Sequence, residues 1–112
     1  MKEKNQLIKG ILVTLVLKLL QANVRMYGYE ITKKVKESSG GNIVITEGAL
    51  YPTLHRLEAE GLIFSTIESI GNRTRKYYQL TQEGGKEAED KVADLFEFVN
   101  HLQSIFNLKP SF

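Results

Sequence analysis

The apolar run from Leu7 to Leu20 constrains this chain more than any other stretch. It is 14 residues long and includes Lys9, Thr14 and Lys18. A membrane-crossing helix needs roughly 20 apolar residues, so a run this short belongs in a protein interior. Drawn as a helix from Leu7 to about Ala22, it is apolar nearly all round: Leu7, Ile8, Ile11, Leu12, Val13, Leu15, Val16, Leu17, Leu19 and Leu20 leave little polar face. Such a helix must be covered on two sides. A chain of 112 residues makes one domain and can cover one of them. A second copy of the chain is expected on the other. The charged start MKEKNQ and the apolar run are not followed by a small-residue cleavage site, so no secretory signal is expected.

The far end of the chain makes a similar demand. Thr81 can cap a helix that starts near Gln82 and runs to about Asn107. Along it Val92, Leu95, Val99, Leu102 and Phe106 recur in alternating steps of three and four, which is a heptad seam. The acids Glu87, Glu89, Asp90, Asp94 and Glu97 fit its outer face. The seam, with Leu12, Leu15 and Leu19 of the first helix, is the expected dimer interface. Residues 1–81 then form one folded unit, and 82–112 a dimerisation helix with a loose tail ending Lys109-Pro110-Ser111-Phe112.

Between these ends the pattern changes several times. Tyr29 to about Ser38 reads as a short helix with Ile31 and Val35 inward and Lys33, Lys34 and Lys36 solvated. Ser38-Ser39-Gly40-Gly41-Asn42 breaks it. Ile43-Val44-Ile45 is β-branched and reads as a short strand. From Leu62 the period becomes two, so that Ile63–Ile70 and Lys76–Leu80 predict a hairpin, with Tyr78 and Leu80 on its inner face. Gly71-Asn72-Arg73-Thr74-Arg75 would form its basic, turn-prone tip.

The stretch TEGALYPTLHRLEAEGLI (Thr46 to Ile63) holds a further clue. At 100° per residue, Leu54 and Leu57 lie within about 40° of Leu50 and make a core stripe. The opposite side carries Gly48, Pro52 and Ala59, flanked by Ala49, His55 and Arg56. Glycine and proline are poor helix formers, and Pro52 predicts a mild bend or a loose first turn. Small side chains there let the backbone approach another molecule closely, while His55 and Arg56 can donate hydrogen bonds.

Charge is unevenly distributed. Residues 1–81 hold 12 Lys and Arg against 7 Asp and Glu, a net +5, whereas residues 82–112 hold 3 against 6, a net −3. A basic body with an acidic last helix offers one face to a polyanion. Catalysis finds no support. His55 and His101 fall on different helices with no metal-ligand spacing, cysteine is absent, and no glycine-rich phosphate loop follows a strand. Neither cofactor nor metal is expected. A cysteine-free chain suits the reducing cytoplasm, the expected location.

The order helix, helix, short strand, helix, hairpin, long helix is that of a winged helix-turn-helix: mostly α with a small β-hairpin (α+β), followed by a long C-terminal dimerisation helix. In this arrangement the third helix enters the DNA major groove. Three motifs strengthen the assignment. MYGYEITKKV (Met26 to Val35), TEGALYPTLHRLEAEGLI and GNRTRKYYQLTQEG (Gly71 to Gly84) resemble, in order and spacing, the PadR family of bacterial transcriptional regulators, and the resemblance covers about Leu7 to Gly84. It implies a homodimer, usually a repressor, on a pseudo-palindromic operator. The expected DNA contacts are Gly48, Ala49, Tyr51, Pro52, Thr53, His55 and Arg56 on the third helix, with Arg73, Arg75 and Lys76 on the wing. One of Tyr27 and Tyr29 is expected in the core and the other near the nucleic-acid backbone.

In some short members of the family, flat aromatic drugs stack on a tryptophan between the subunits. This chain has no tryptophan. Leu12, Leu15, Leu95, Phe96 and Val99 are its candidates for binding a hydrophobic or aromatic effector, with Phe96 as the stacking surface. The rival reading is a winged-helix module that binds protein and no DNA. Such a module should expose large apolar residues on its third helix, unlike Gly48, Ala49, Pro52 and Arg56.

Overall fold

The computed structural model describes residues 2–106; Asn107 and the tail ending Lys109-Pro110-Ser111-Phe112 lie outside the described residues. The elements run α1 (Lys2–Ala22), β1 (Met26–Tyr27), α2 (Gly28–Ser38), α3 (Glu47–Ala59), β2 (Ile63–Ile70), β3 (Arg73–Leu80) and α4 (Gln82–Ile105). Four helices and a small antiparallel sheet make an α+β winged helix, as the periodicities predict.

The core forms where the apolar stripes of the helices meet. Leu12, Val16, Leu17 and Leu20 of α1 are buried with Ile31 and Val35 of α2, Leu50, Leu54 and Leu57 of α3, Ile63 and Tyr78 of the sheet, and Ala88 of α4. By length and composition Glu3–Ala22 would also pass for a membrane span. Its four core residues instead make it a packing helix, which shares its surface between α3, β3 and α4.

The sheet differs from expectation in two places. Its order is β1-β3-β2, and the third strand is Met26–Tyr27, paired with Tyr78 and Tyr77. Ile43-Val44-Ile45 is no strand. The Ser39 hydroxyl accepts the Ile43 N–H at 2.9 Å and also lies 3.3 Å from its carbonyl. The turn after α2 therefore satisfies backbone groups that a strand would have offered to a neighbour. Ile45 is buried in the core, and Ile43 packs against it. The hairpin is also tighter than predicted. Ile70 pairs with Arg73, leaving only Gly71-Asn72 as the turn, and Gly71 takes φ +62° there, a conformation glycine adopts freely. Arg73 and Arg75 thus belong to β3.

The first turn of α3 is closed. Thr46 accepts the Ala49 N–H through its hydroxyl at 3.2 Å, and its carbonyl accepts the Leu50 N–H at 3.0 Å. Pro52 sits inside the helix without interrupting it. Having no N–H, Pro52 leaves the Gly48 carbonyl without its partner one turn later. After α3 the chain turns at Gly61, with φ +77°.

The same corner receives α4. The Thr81 hydroxyl donates to the Gly61 carbonyl at 2.7 Å and accepts the Gly84 N–H at 3.0 Å, while the Thr81 N–H reaches the Leu62 carbonyl at 3.0 Å. Gly84 lies so close that a Cβ there would collide with the Leu62 backbone, only 2.9 Å from its carbonyl carbon. The start of α4 is thereby fixed to the turn that ends α3.

Candidate nucleic-acid interface

Because Leu50, Leu54 and Leu57 are buried, the other side of α3 faces outward. Gly48, Tyr51, Pro52, His55 and Arg56 are exposed, and Ala49 and Thr53 are half-buried. The Thr53 hydroxyl donates to the Ala49 carbonyl at 3.2 Å, which partly engages it within the helix. A Cβ added to Gly48 would have only the Thr46 hydroxyl oxygen near it, at 4.0 Å. The space beside this turn is therefore open.

The wing supplies charge from two faces. Side chains alternate along a strand, so Lys76 and Tyr78 share one face of β3, while Arg73, Arg75 and Tyr77 share the other. On the α3 side, Lys76 lies 3.9 Å from Glu58 and its ammonium sits over the Tyr78 ring at 5.6 Å. Glu58 also accepts the Ser65 hydroxyl at 2.6 Å, so one carboxylate ties α3 to both strands. Burial pushes the Tyr78 phenol up from its usual 10.0, with the negative charge of Glu58 and then Tyr51 adding to it. Tyr78 is core, as predicted.

The opposite face carries two arginine–tyrosine pairs. The Arg25 guanidinium lies 4.0 Å over the Tyr77 ring and is also ion-paired with Glu68 across the sheet. This cover explains why Tyr77 is buried as well as Tyr78. The Arg75 guanidinium lies 4.4 Å over the Tyr27 ring. The Tyr77 hydroxyl, and then Tyr27, hold it still more firmly in its charged form. Tyr27 meets Tyr77 edge-on at 5.5 Å and stacks with Tyr29 at 6.5 Å. Neither Tyr27 nor Tyr29 enters the core: Tyr27 is half-buried under Arg75, and Tyr29 is exposed.

Between the start of α2, the exposed side of α3 and β3 lies a cleft of about 360 Å³. Tyr51 and His55 line it from α3, Tyr27, Gly28 and Tyr29 from α2 and its approach, and Thr74, Arg75, Lys76 and Tyr78 from β3. Gly28 lets Tyr51 lie close, since a Cβ there would come within 2.8 Å of the Tyr51 ring at Cζ and the ring would have to shift. Five of the expected contact residues are thus arranged around two connected surfaces: Tyr51 and His55 join Arg75 and Lys76 in the cleft, and Arg56 lies one turn further along α3 from Pro52. Arg73 stands apart near the hairpin turn. Sequence reasoning missed Arg25, Glu58 and Glu68. Their roles depend on pairings between separate elements, and no local signal marks them.

The proposed effector residues are not gathered into one pocket by a single chain. Leu12 is core and Leu15 packs against it. Leu95 lines a shallow cleft with Leu7, Ile11 and Phe98, whereas Phe96 lies on another side of α4 with Gln21, Val92 and Ala93. Of the expected interface, Leu19 packs against the core, and Val92, Leu95 and Leu102 are half-buried. Val99 and Phe106 are exposed, Phe106 by 65% beside Phe96 at 69%. Among the described residues no group of three or more His, Cys, Asp or Glu side chains is placed to share a metal ion.

Residues 16–90 match the family model of PadR-like transcriptional regulators. A PadR family transcriptional regulator from Eggerthella lenta has a similar structure, with a TM-score of 0.78 at 31% identity over 93% of this chain and 88% of that one. Bacillus subtilis PadR, solved in complex with operator DNA, gives a TM-score of 0.66 at 31% identity, covering 73% of this chain and 46% of that one. In sequence, 40 residues are 48% identical to a transcriptional regulator of Mycobacterium tuberculosis. That match spans 36% of this chain and 37% of the mycobacterial protein.

Proposed function

The chain belongs to the PadR-like family of transcriptional regulators, and on that premise we propose that it works in the cytoplasm as a homodimeric repressor of a pseudo-palindromic operator. In this reading α3 enters the major groove and β3 grips the flanking backbone. The observation that carries it is the division of α3: leucines fill the core, while Gly48, Pro52, His55 and Arg56 stand exposed beside the cationic wing. A surface of small and hydrogen-bonding residues next to an arginine that sits outside any ion pair suits a polyanion with readable base edges.

The homodimer is supported by α4, whose Phe96, Phe98, Val99, Ile105 and Phe106 are large, apolar and exposed on one chain. Of these, Phe98, Val99, Ile105 and Phe106 fall on one side of the helix, and exposed apolar surface of that kind marks an interaction face. A hydrophobic or aromatic effector that enters this interface, against Phe96, would release the operator by binding one dimer shape better than the other.

The test is a gel shift with the full chain and its own upstream DNA at two salt concentrations, with sedimentation run in parallel. A dimer whose affinity falls with salt is expected. Replacing both Arg73 and Arg75 with alanine should flatten the salt dependence by about one unit of slope per lost phosphate contact. A monomer, or a dimer that ignores every duplex offered, would overturn the proposal.

A further inference from the structure

We propose that the cleft between the start of α2, α3 and β3 seats a backbone phosphate of duplex DNA, and that Tyr27 is the positioning residue that holds Arg75 to grip it. The proposal rests on the DNA-binding reading above and assigns it a specific anion site.

Three observations converge on the cleft. First, the side chains lining it include two cations, Arg75 and Lys76, together with His55 and the Tyr51 hydroxyl, and no carboxylate. Such a lining favours an oxyanion, and charged donors bind one about twice as strongly as neutral donors. Lys76 is shared with Glu58, so Arg75 is the cation left for a ligand.

Second, the two arginine–tyrosine pairs on the sheet are built alike but differ in charge. Arg25 lies over Tyr77 and is neutralised by Glu68, which makes it a brace within the fold. Arg75 lies over Tyr27; its cross-strand neighbour Glu68 is ion-paired with Arg25 instead, so among the described residues no carboxylate is ion-paired with Arg75. A guanidinium held by its face and by the Tyr77 hydroxyl still has N–H donors to spare, and those donors match a phosphate. The ring limits the arginine to few rotamers before the anion arrives, so less freedom is lost on binding.

Third, packing closes one wall of the cleft. Tyr51 rests against Gly28, where a Cβ would push its ring aside, so the ring from α3 lies directly on the start of α2. A duplex that meets the exposed residues of α3 would bring its backbone past this point.

The experiment measures the affinity of the full chain for a labelled duplex that binds in the gel shift, across a salt series. The variants are Tyr27→Phe, Tyr27→Leu, Arg75→Ala, Arg75→Lys and the Tyr27→Leu/Arg75→Ala pair. Tyr27→Phe keeps the ring and should bind within about twofold of the parent, whereas Tyr27→Leu should bind roughly fivefold more weakly. Arg75→Ala should reduce the salt slope by about one unit per subunit. In that background Tyr27→Leu should cost nothing further, since the residue it positions is gone. Arg75→Lys should keep the slope and lose affinity, and it serves if Tyr27→Leu fails to fold. An unchanged slope in Arg75→Ala would overturn the phosphate seat. An equal loss from Tyr27→Leu with and without Arg75 would overturn the positioning role. Both results require a parent that binds DNA, so they are distinct from a parent that binds none, which would remove the underlying reading.

Discussion

Gly48→Ala is expected to strengthen the fold while weakening recognition. Gly48 is the second residue of α3, and alanine is favoured over glycine in helix interiors by about 1 kcal/mol. The first turn is less restrained than an interior position, so about half of that gain is expected, roughly 0.5 kcal/mol. Nothing in the structure opposes the methyl group, whose nearest neighbour would be the Thr46 hydroxyl oxygen at 4.0 Å. In a two-state melt of a domain this size the gain should raise Tm by about 2–3 °C. The same methyl would stand on the exposed side of α3, where close backbone approach to DNA is expected. An added carbon there should hold the helix away from the groove and weaken binding by about tenfold, equivalent to 1.4 kcal/mol. Thermal melting by circular dichroism and fluorescence anisotropy with a labelled operator measure the two effects on one preparation. Unchanged operator affinity in the more stable variant would refute close approach at Gly48. A fall in stability would refute the argument from open space.

Three further outcomes follow from the same geometry. Arg56→Ala, on the exposed side of α3, should lose roughly 1–3 kcal/mol of operator affinity and relax base preference at one position of each half-site, read by binding to a set of single-base variants. Thr81→Ala removes both the cap on Gly84 and the donor to Gly61, and should cost about 1–2 kcal/mol in urea denaturation; no change would mean that water replaces both bonds. Tyr78 holds its proton more tightly in the folded chain than the ordinary 10.0, so its contribution to stability is complete below that pH and is lost as pH rises through the raised value. Tyr78→Phe should therefore flatten the alkaline fall in stability, and an identical pH profile would contradict this assignment.

How much the sequence revealed depended on whether a signal was local. Leu50, Leu54 and Leu57 repeat with the helical period, and the structure buries all three. Thr81 caps the helix that its position suggested. Met26–Tyr27 escaped notice because two residues hold only one alternation, and their pairing is set by β3, some 50 residues later. Ile43-Val44-Ile45 misled because β-branched residues favour strands only when a neighbouring strand is available. Here the Ser39 hydroxyl took that place. The candidate interface was legible on α3, where the period separates the core from the exposed side. It was blurred on the wing, where the one-residue alternation of β3 sends Arg75 and Lys76 to different partners. The cleft itself could not be read from sequence, since it joins Tyr27, Tyr51 and Arg75 from three separate elements.

The corner where Thr81 and Gly84 meet Gly61 and Leu62 acts mechanically as a weld. It fixes the end of α3, the proposed recognition helix, to the base of a 24-residue rod, which at 1.5 Å per residue is about 36 Å long. With no soft joint at that corner, in the proposed dimer any rotation of α4 against the second copy would be carried to α3 as rigid-body motion. A turn of about 5° over a lever of about 40 Å displaces the far end by about 3.5 Å, close to the rise of one base pair. Two arms moving in opposite directions would double the error against a fixed operator. In the proposed dimer, a slight change in how the rods cross would thus be geared up into a full register mismatch, without any rearrangement inside the proposed DNA-binding head.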